Sequence, residues 1–339
     1  MIIMKSLIKK FARLYALPLA HRLDLGATIS NFSSNNLLQI TYHGVTKQDY
    51  TNYSPRSITS DIFERQIEYF KKNFDIVSVK EAFDLTKKSK KLKRKTIAIS
   101  FDDCYANNAT VMKPIIEAYQ VPATIFICGS MINMNEPRYL WPELIQVMEQ
   151  ELPDVQFEYK QKSYRGLRDV SSGQHLNEVI KDLNYYKRTE LLDFLTGSFK
   201  LEKKLRYIPS DAWQLMTNET LLTMLTCPYL DFGAHGHWHL NLGRIPLEDA
   251  IEDLKNSKKT LDQFLKRDID MIAYPDGCYS SDVIDAAQAI GFTKQLAVNY
   301  RHQADTKDPR IMNRHGISST TTFESTIFFL HRAFANKGC

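Results

Sequence analysis

The sequence predicts an α/β fold built on a parallel sheet. Apolar, β-rich runs of about six residues alternate with segments of helical period over most of the chain. Strands separated by helical segments are joined by crossover connections, which is what parallel pairing needs. The residues best suited to chemistry fall at the ends of the apolar runs, where parallel α/β folds place their sites. The alternation alone fits an open sheet as well as a closed barrel.

The first run is LLQITY (37–42), which ends at His43. In DIFERQIEYFKKNF (61–74), Ile62, Phe63, Gln66, Ile67 and Phe70 recur at helical spacing. FDIVSV (74–79) reads as a second strand and KEAFDLTKK as a second helix. TIAISF (96–101) is apolar, β-rich and bounded, the signature of a buried strand. Residues 108–120 read as helix and VPATIFIC (121–128) as strand. Residues 130–225 break the rhythm. They are rich in Glu, Lys, Gln and Leu, and predict a mostly helical insertion between two sheet strands. The alternation resumes with strand YLDFGA (229–234) and a helix over 247–266. Strand IDMIAY (269–274), helix SSDVIDAAQAIGF (280–292) and strand KQLAVN (294–299) follow. No internal repeat or heptad is present.

The composition bounds the function. The chain has 339 residues, 43% apolar, 24% charged and 11% aromatic, which excludes general disorder. Thirteen Gly and twelve Pro exclude collagen-like and low-complexity readings. The net charge of +5 has a local origin: KKSKKLKRK (87–95) carries seven cations in nine positions, more than the whole net charge. This run reads as a solvated linker, or as a site for anionic lipid or phosphate. No aromatic residue interleaves it, so nucleic acid is not an expected partner. Five Cys, an odd number without a CxxC pair, point to a reducing compartment. No stretch is long and apolar enough for a membrane span. Residues 1–30 read as a basic amphipathic segment resting on a membrane surface or on the domain. The apolar run LYALPLA (14–20) is short for an export signal and contains Pro18. The expectation is therefore a cytoplasmic protein with peripheral contact to anionic membrane.

Three strand ends carry candidate chemistry. Asp102-Asp103 follows TIAISF. Adjacent carboxylates there need charge partners or solvent, and successive strand side chains diverge. One can then be a ligand and the other a base, although Asp103 could equally cap a helix beginning near Asn107. His235-Gly-His237-Trp-His239 follows YLDFGA, and places three of the nine histidines in five residues. Imidazole is a common ligand of zinc and related metals. On one helical turn His235 and His239 would share a face, with His237 pointing elsewhere. Ala273-Tyr274-Pro275-Asp276-Gly277 follows the strand IDMIAY. It is a turn signal that can also present backbone N–H groups to a developing oxyanion. In a parallel sheet these ends share one rim with His43. One Asp and two His can then hold a metal, leaving one Asp and one His as base and acid. The reaction class is metal-assisted hydrolysis.

Over residues 37–130 and 228–316 the sequence resembles the polysaccharide deacetylase family (NodB-homology domain, carbohydrate esterase family 4). ISFDDCY is similar to its TFDDG motif, HGHWH to its HxxxH metal motif, and IAYPDG to the FxYPxG variant of its third motif. The opening ITYHGV resembles the poly-N-acetylglucosamine deacetylase subgroup. The resemblance implies a distorted (β/α) barrel over residues 37–339, with the helical insertion at about 130–225. It implies Asp102 as general base, His43 as general acid, and Asp103, His235 and His239 as metal ligands. Asp276 would supply an oxyanion N–H, with Tyr274 beside the substrate. The metal would be Zn2+, with Co2+, Ni2+ or Mn2+ as alternatives. The implied activity is removal of an N-acetyl or other N-acyl group from an amino sugar of a surface glycan or its precursor. A deformylase of a lipid-linked formamido sugar and an inactive glycan-binding barrel are the rival readings. Two departures motivate the last. Cys104 replaces the family's Gly, and Ala273 stands where many relatives carry an Arg that orients the base, a role Arg314 could take. In the insertion, Tyr139, Trp141 and Trp213 could stack on sugar, with core packing the default.

Overall fold

The computed structural model describes residues 36–87, 92–319 and 322–335. The basic segment 1–30, residues 88–91 of the lysine run and Cys339 lie outside the described residues. The chain enters with β1 (Leu37–Tyr42) and makes two short strands, β2 (Val45–Thr46) and β3 (Ile58–Thr59). It continues through α1 (Ser60–Asn73), β4 (Asp75–Val77), α2 (Val79–Lys87), β5 (Thr96–Phe101), α3 (Lys113–Tyr119) and β6 (Ala123–Ile127). The insertion holds α4 (Trp141–Glu151), β7 (Gln156–Tyr159), β8 (Lys162–Arg165), β9 (Arg168–Asp169), α5 (Leu176–Lys181), α6 (Tyr185–Phe199), α7 (Leu201–Leu205) and α8 (Asn218–Met224). The chain returns with β10 (Leu230–Ala234), α9 (Leu247–Leu265), β11 (Met271–Ala273), α10 (Ser281–Ile290), β12 (Lys294–Ala297), β13 (Ile311–Gly316) and α11 (Phe323–Ala335).

Seven parallel strands close into a barrel in the order β1-β13-β12-β11-β10-β6-β5, with β5 returning to β1. The closing seam runs from Leu37 opposite Thr96 to Tyr42 opposite Phe101. The other edge of β5 is shared. Its first half pairs with β4 (Thr96 to Ala98) and its second half with β6 (Ile99 to Phe101). This split distorts the barrel and explains why TIAISF is buried along its whole length. The amphipathic α1 buries Phe63, Gln66, Ile67 and Phe70. Gln66 is tolerated there because it accepts from Tyr42 Oη (2.7 Å) and donates to Thr326 Oγ1 (3.1 Å).

Two features differ from the sequence expectation. The strand β13 lies in a segment, IMNRHG, too polar to read as a barrel strand. The insertion also contains a three-stranded antiparallel sheet, β7-β8-β9, beside its helices. The β7–β8 turn is made by Lys160 and Gln161, both at positive φ (45° and 63°), in place of the Asn-Gly that signals such turns. Trp141 and Trp213 pack in the insertion's own core at 7% and 6% exposure, so their role is packing. Tyr139 donates to Glu202 (2.6 Å) at its edge. Cys104, Cys128, Cys227 and Cys278 are free and buried. No helix among the described residues is long and apolar enough to cross a membrane.

Candidate active site

The C-terminal ends of β1, β5, β10 and β11 bring the singled-out residues to one rim. The β1–β5 seam continues past the strands, where the Asp102 amide donates to Tyr42 O (2.9 Å). Asp102 is buried and gripped by Arg314 from β13. Nη1 donates to Oδ1 at 2.7 Å and Nη2 to Oδ2 at 2.8 Å. Arg314 itself is 1% exposed and also donates to Thr41 Oγ1 (3.1 Å), Ser100 Oγ (3.3 Å) and Ala297 O (3.3 Å). Burial works to raise the Asp102 pKa, but the Arg314 charge overrides it and holds the carboxyl below its ordinary range. Asp102 is thus a fixed, ionised carboxylate.

Asp103 follows past the end of β5 and approaches the same His235 Nε2 (3.4 Å) that Asp102 approaches (4.0 Å). It and Cys104 both adopt left-handed backbone (φ 70° and 62°), a conformation that disfavours L-residues by about 1–2 kcal/mol each. The insertion holds this turn in place: Met216 N donates to Cys104 O (3.0 Å) and Ala106 N to Gln214 O (2.7 Å). The turn therefore accepts Cys104 where the family pattern has Gly. The Asp103 side chain does not cap a helix. Its Oδ1 lies 3.4 Å from His235 Nε2 and 3.2 Å from His239 Nε2. Burial would raise its pKa, yet the two imidazoles hold it well below the carboxylate range.

The two histidines converge through a loop and not through a helical turn, which corrects the geometric expectation for HGHWH. Gly236 (φ 70°) and His239 (φ 55°) fold the segment back. A Cβ on Gly236 would stand 2.8 Å from Asp253 Oδ1, so only glycine fits. Asp253 of α9 accepts from the His237 amide (2.8 Å) and the Trp238 amide (2.9 Å). Arg188 of α6 donates to His239 O (2.8 Å) and to Trp238 O, and Tyr185 stacks on Trp238 at 4.3 Å. His237 turns away and packs over Gly129, where an added Cβ would come within 2.5 Å of its Nδ1.

His235 Nδ1 pairs with Ala273 O (2.7 Å), which fixes the ring with the Nε2 lone pair free. Asp103 Oδ1 and His239 Nδ1 are buried without a hydrogen-bond partner among the described residues. The ligand atoms of Asp103, His235 and His239 all lie within 4.8 Å of one another. Two donors each about 2.1 Å from one ion stand about 3.0–3.4 Å apart, close to the distances seen here. The donor set fits a divalent cation. Cys104 is not part of it.

His43 leaves β1 beside Asp102, with its ring half-buried and Nδ1 unpartnered. Burial lowers its pKa, and Asp103 and Asp102 oppose that shift. Past β11, Asp276 adopts φ 53° inside the Pro275–Gly277 turn. The internal bonds of the turn are Gly277 N to Tyr274 O (2.8 Å) and Cys278 N to Pro275 O (2.9 Å), neither of which uses the Asp276 amide. The Asp276 carboxylate is tied to Asn241 Nδ2 (2.9 Å) and Lys181 Nζ (3.3 Å), which orients the turn.

A sequence profile of the family described as polysaccharide deacetylase matches residues 89–188 and 193–294. The chain belongs to the polysaccharide deacetylase family. It is 23% identical over 194 residues to a poly-beta-1,6-N-acetyl-D-glucosamine N-deacetylase of Staphylococcus aureus. That alignment covers 51% of this chain and 64% of the relative, so the match spans just under two thirds of the relative's length. Among solved structures, the Streptococcus pyogenes deacetylase PplD in complex with acetate superposes with a TM-score of 0.57 at 15% identity, over 86% of this chain and 96% of that one. IcaB from Ammonifex degensii gives 0.55 at 13% identity, over 90% and 99%. These likenesses establish the barrel fold.

In this member of the family, one sequence assignment needs correction. The Tyr274 side chain is fully buried, bonds Gln295 Oε1 and stacks on Tyr279, so it faces the core and not a substrate. Asp253 and Arg188 were missed. Asp253 had a signal, since it falls on the apolar stripe of α9 with Ala250, Leu254 and Leu261. Arg188 had none, because its target lies 51 residues away in sequence. Arg188→Met is expected to leave the barrel folded and weaken metal binding about 10- to 100-fold, because it frees the carbonyls that shape the His239 turn. Zinc titration by calorimetry checks this; unchanged affinity would limit Arg188 to packing.

Proposed function

We propose that this polysaccharide deacetylase removes the N-acetyl group of an amino sugar in a surface glycan or its precursor by metal-assisted hydrolysis. One observation carries the reading. The ionised Asp102 lies with Oδ2 4.0 Å from His235 Nε2, beside a buried Asp-His-His set in which Asp103 Oδ1 and His239 Nδ1 have no hydrogen-bond partner among the described residues. A divalent cation held by Asp103, His235 and His239 would polarise the amide carbonyl and make water more acidic. Two imidazoles and one carboxylate suit Zn2+, with Co2+, Ni2+ and Mn2+ accepted by the same donors.

Asp102 would take the proton of the attacking water at the face it shares with His235. Arg314 keeps it ionised and fixes both oxygens, so the base is pre-oriented. The Asp276 amide would donate to the oxyanion as the carbonyl carbon becomes tetrahedral. His43 would give a proton to the leaving amine; its lowered pKa makes the imidazolium a stronger acid than an exposed one. The two departures that favour an inactive barrel are both offset. Cys104 keeps the left-handed turn, and Arg314 occupies the position on Asp102 that Ala273 cannot supply.

The test is a comparison of acyl release with zinc present. N-acetylated β-1,4 and β-1,6 glucosamine oligomers and an N-formyl amino sugar are offered side by side. Acetate release on either oligomer is the expected result. Formate release alone would move the substrate to a formamido sugar. Release of neither acid by fully metallated protein would contradict the hydrolytic reading.

A further inference from the structure

We propose that the groove between α7 and the loop around Tyr53 is a second saccharide subsite that binds a negatively charged unit of the glycan. This rests on the deacetylase reading and extends it to the substrate's charge. The groove encloses about 500 Å³ between Tyr53, Phe199, Lys200, Lys203, Lys204 and Tyr207. Leu201 and Leu205 anchor α7 in the insertion core, which turns Lys203 and Lys204 outward. Lys200, at φ 53°, makes the bend between α6 and α7. Tyr207 is 80% exposed, an unusual state for a large ring.

Three lysines and one carboxylate, Glu151, line the groove, which leaves an excess of positive charge. Glu151 accepts from Tyr53 Oη (2.6 Å) and Glu202 from Tyr139 Oη (2.6 Å). Among the described residues, Lys200, Lys203 and Lys204 have no carboxylate within ion-pair distance. Aromatic faces offer a platform for the apolar face of a sugar ring. Ammonium groups at its edge select a phosphate or a carboxylate. A concave site with both features fits a charged sugar better than a neutral one.

The groove also stands near the candidate chemistry. Ile58 pairs with Val45 in parallel register, and its amide donates to Gly44 O (3.0 Å). Arg56 lies two residues before Ile58, on the side of this pairing that leads back to His43. Arg56 is held there by Tyr105 Oη (2.9 Å) and Glu143 Oε1 (2.6 Å). Tyr53 is three residues earlier, so it lies within about 11 Å of Arg56 along the chain. A glycan with one unit at the strand ends needs several further units to reach the groove, which sets the length of the ligand that tests it.

Three tetrasaccharides test this with zinc-loaded enzyme: neutral N-acetylchitotetraose, the same tetraose carrying a 6-phosphate, and one ending in a glucuronic acid. A charged tetraose is expected to show a KM about 5- to 10-fold below the neutral one at low salt, an advantage that shrinks in 0.5 M NaCl. The better of the two charged forms identifies phosphate or carboxylate as the ligand. Lys203→Gln/Lys204→Gln should raise the charged KM to the neutral value and leave kcat and the neutral KM unchanged. Equal KM for all three in the wild type, or equal losses on neutral and charged substrates in the variant, would overturn the proposal. Calorimetric titration of the phosphorylated tetraose reads the groove without turnover. If no acetate is released from any substrate, lysine-dependent binding still supports the subsite while the deacetylase reading fails; binding indifferent to the lysines overturns the subsite.

Discussion

Asp102→Asn is expected to reduce kcat about 10²- to 10⁴-fold while metal stays bound. The amide keeps the size of the carboxylate, but it cannot accept the proton of the attacking water, and a positioned base contributes on that order. The candidate metal donors are Asp103, His235 and His239, and none of them is altered. The substitution also leaves the Arg314 guanidinium facing a neutral partner in a buried site, so a modest fall in stability accompanies it. Steady-state kinetics with metal analysis on the same sample separate the two effects. A variant that retains its metal and turns over within about 10-fold of wild type would remove Asp102 from the role of base.

The second large effect falls on stability. Arg314→Met is expected to destabilise the metal-free protein by about 3–5 kcal/mol, because it strands a buried carboxylate. In a chain of this size that lowers the melting temperature by about 4–7 °C. The sign with pH follows from the Asp102 pKa. In the wild type it is held below its unfolded value, so the pair stabilises above the ordinary carboxylate range and fades as acid protonates Asp102. Without Arg314, burial remains and raises the pKa above the unfolded value. The variant then gains stability as pH falls, and its deficit grows as pH rises. The gap between the two proteins should be wider at pH 8 than at pH 5. A gap below about 1 kcal/mol, or one independent of pH, would show that Arg314 does not hold an ionised Asp102.

Much of the candidate site was legible because its residues sit where strand periodicity ends. Asp102-Asp103 and His235 follow buried apolar runs, and parallel closure brings those ends to one rim. The turn at Asp276 was legible from Pro-Asp-Gly, though not its left-handed φ. Tyr274 was misassigned because a motif position does not tell a backbone contribution from a side chain, and its ring serves the barrel core. Arg314 was legible only through the gap at Ala273, since β13 lacks the apolar run of a buried strand. What stayed hidden is non-local. Arg188 reaches the metal loop from an insertion helix, and Glu143 meets Arg56 and Tyr105 from another. The small sheet of the insertion escaped because its strands are only four, four and two residues long.

Hydrolysis by this site requires that the Asp103-His235-His239 set hold a metal. The direct measurement is acetate release from N-acetylated glucosamine oligomers together with metal content, on wild type, on chelated and zinc-restored wild type, and on Asp103→Ala. The expected result is about one metal per chain in the wild type, activity that disappears on chelation and returns with zinc, and neither metal nor activity in Asp103→Ala. Activity that survives chelation, or a full complement of metal in Asp103→Ala, would contradict it.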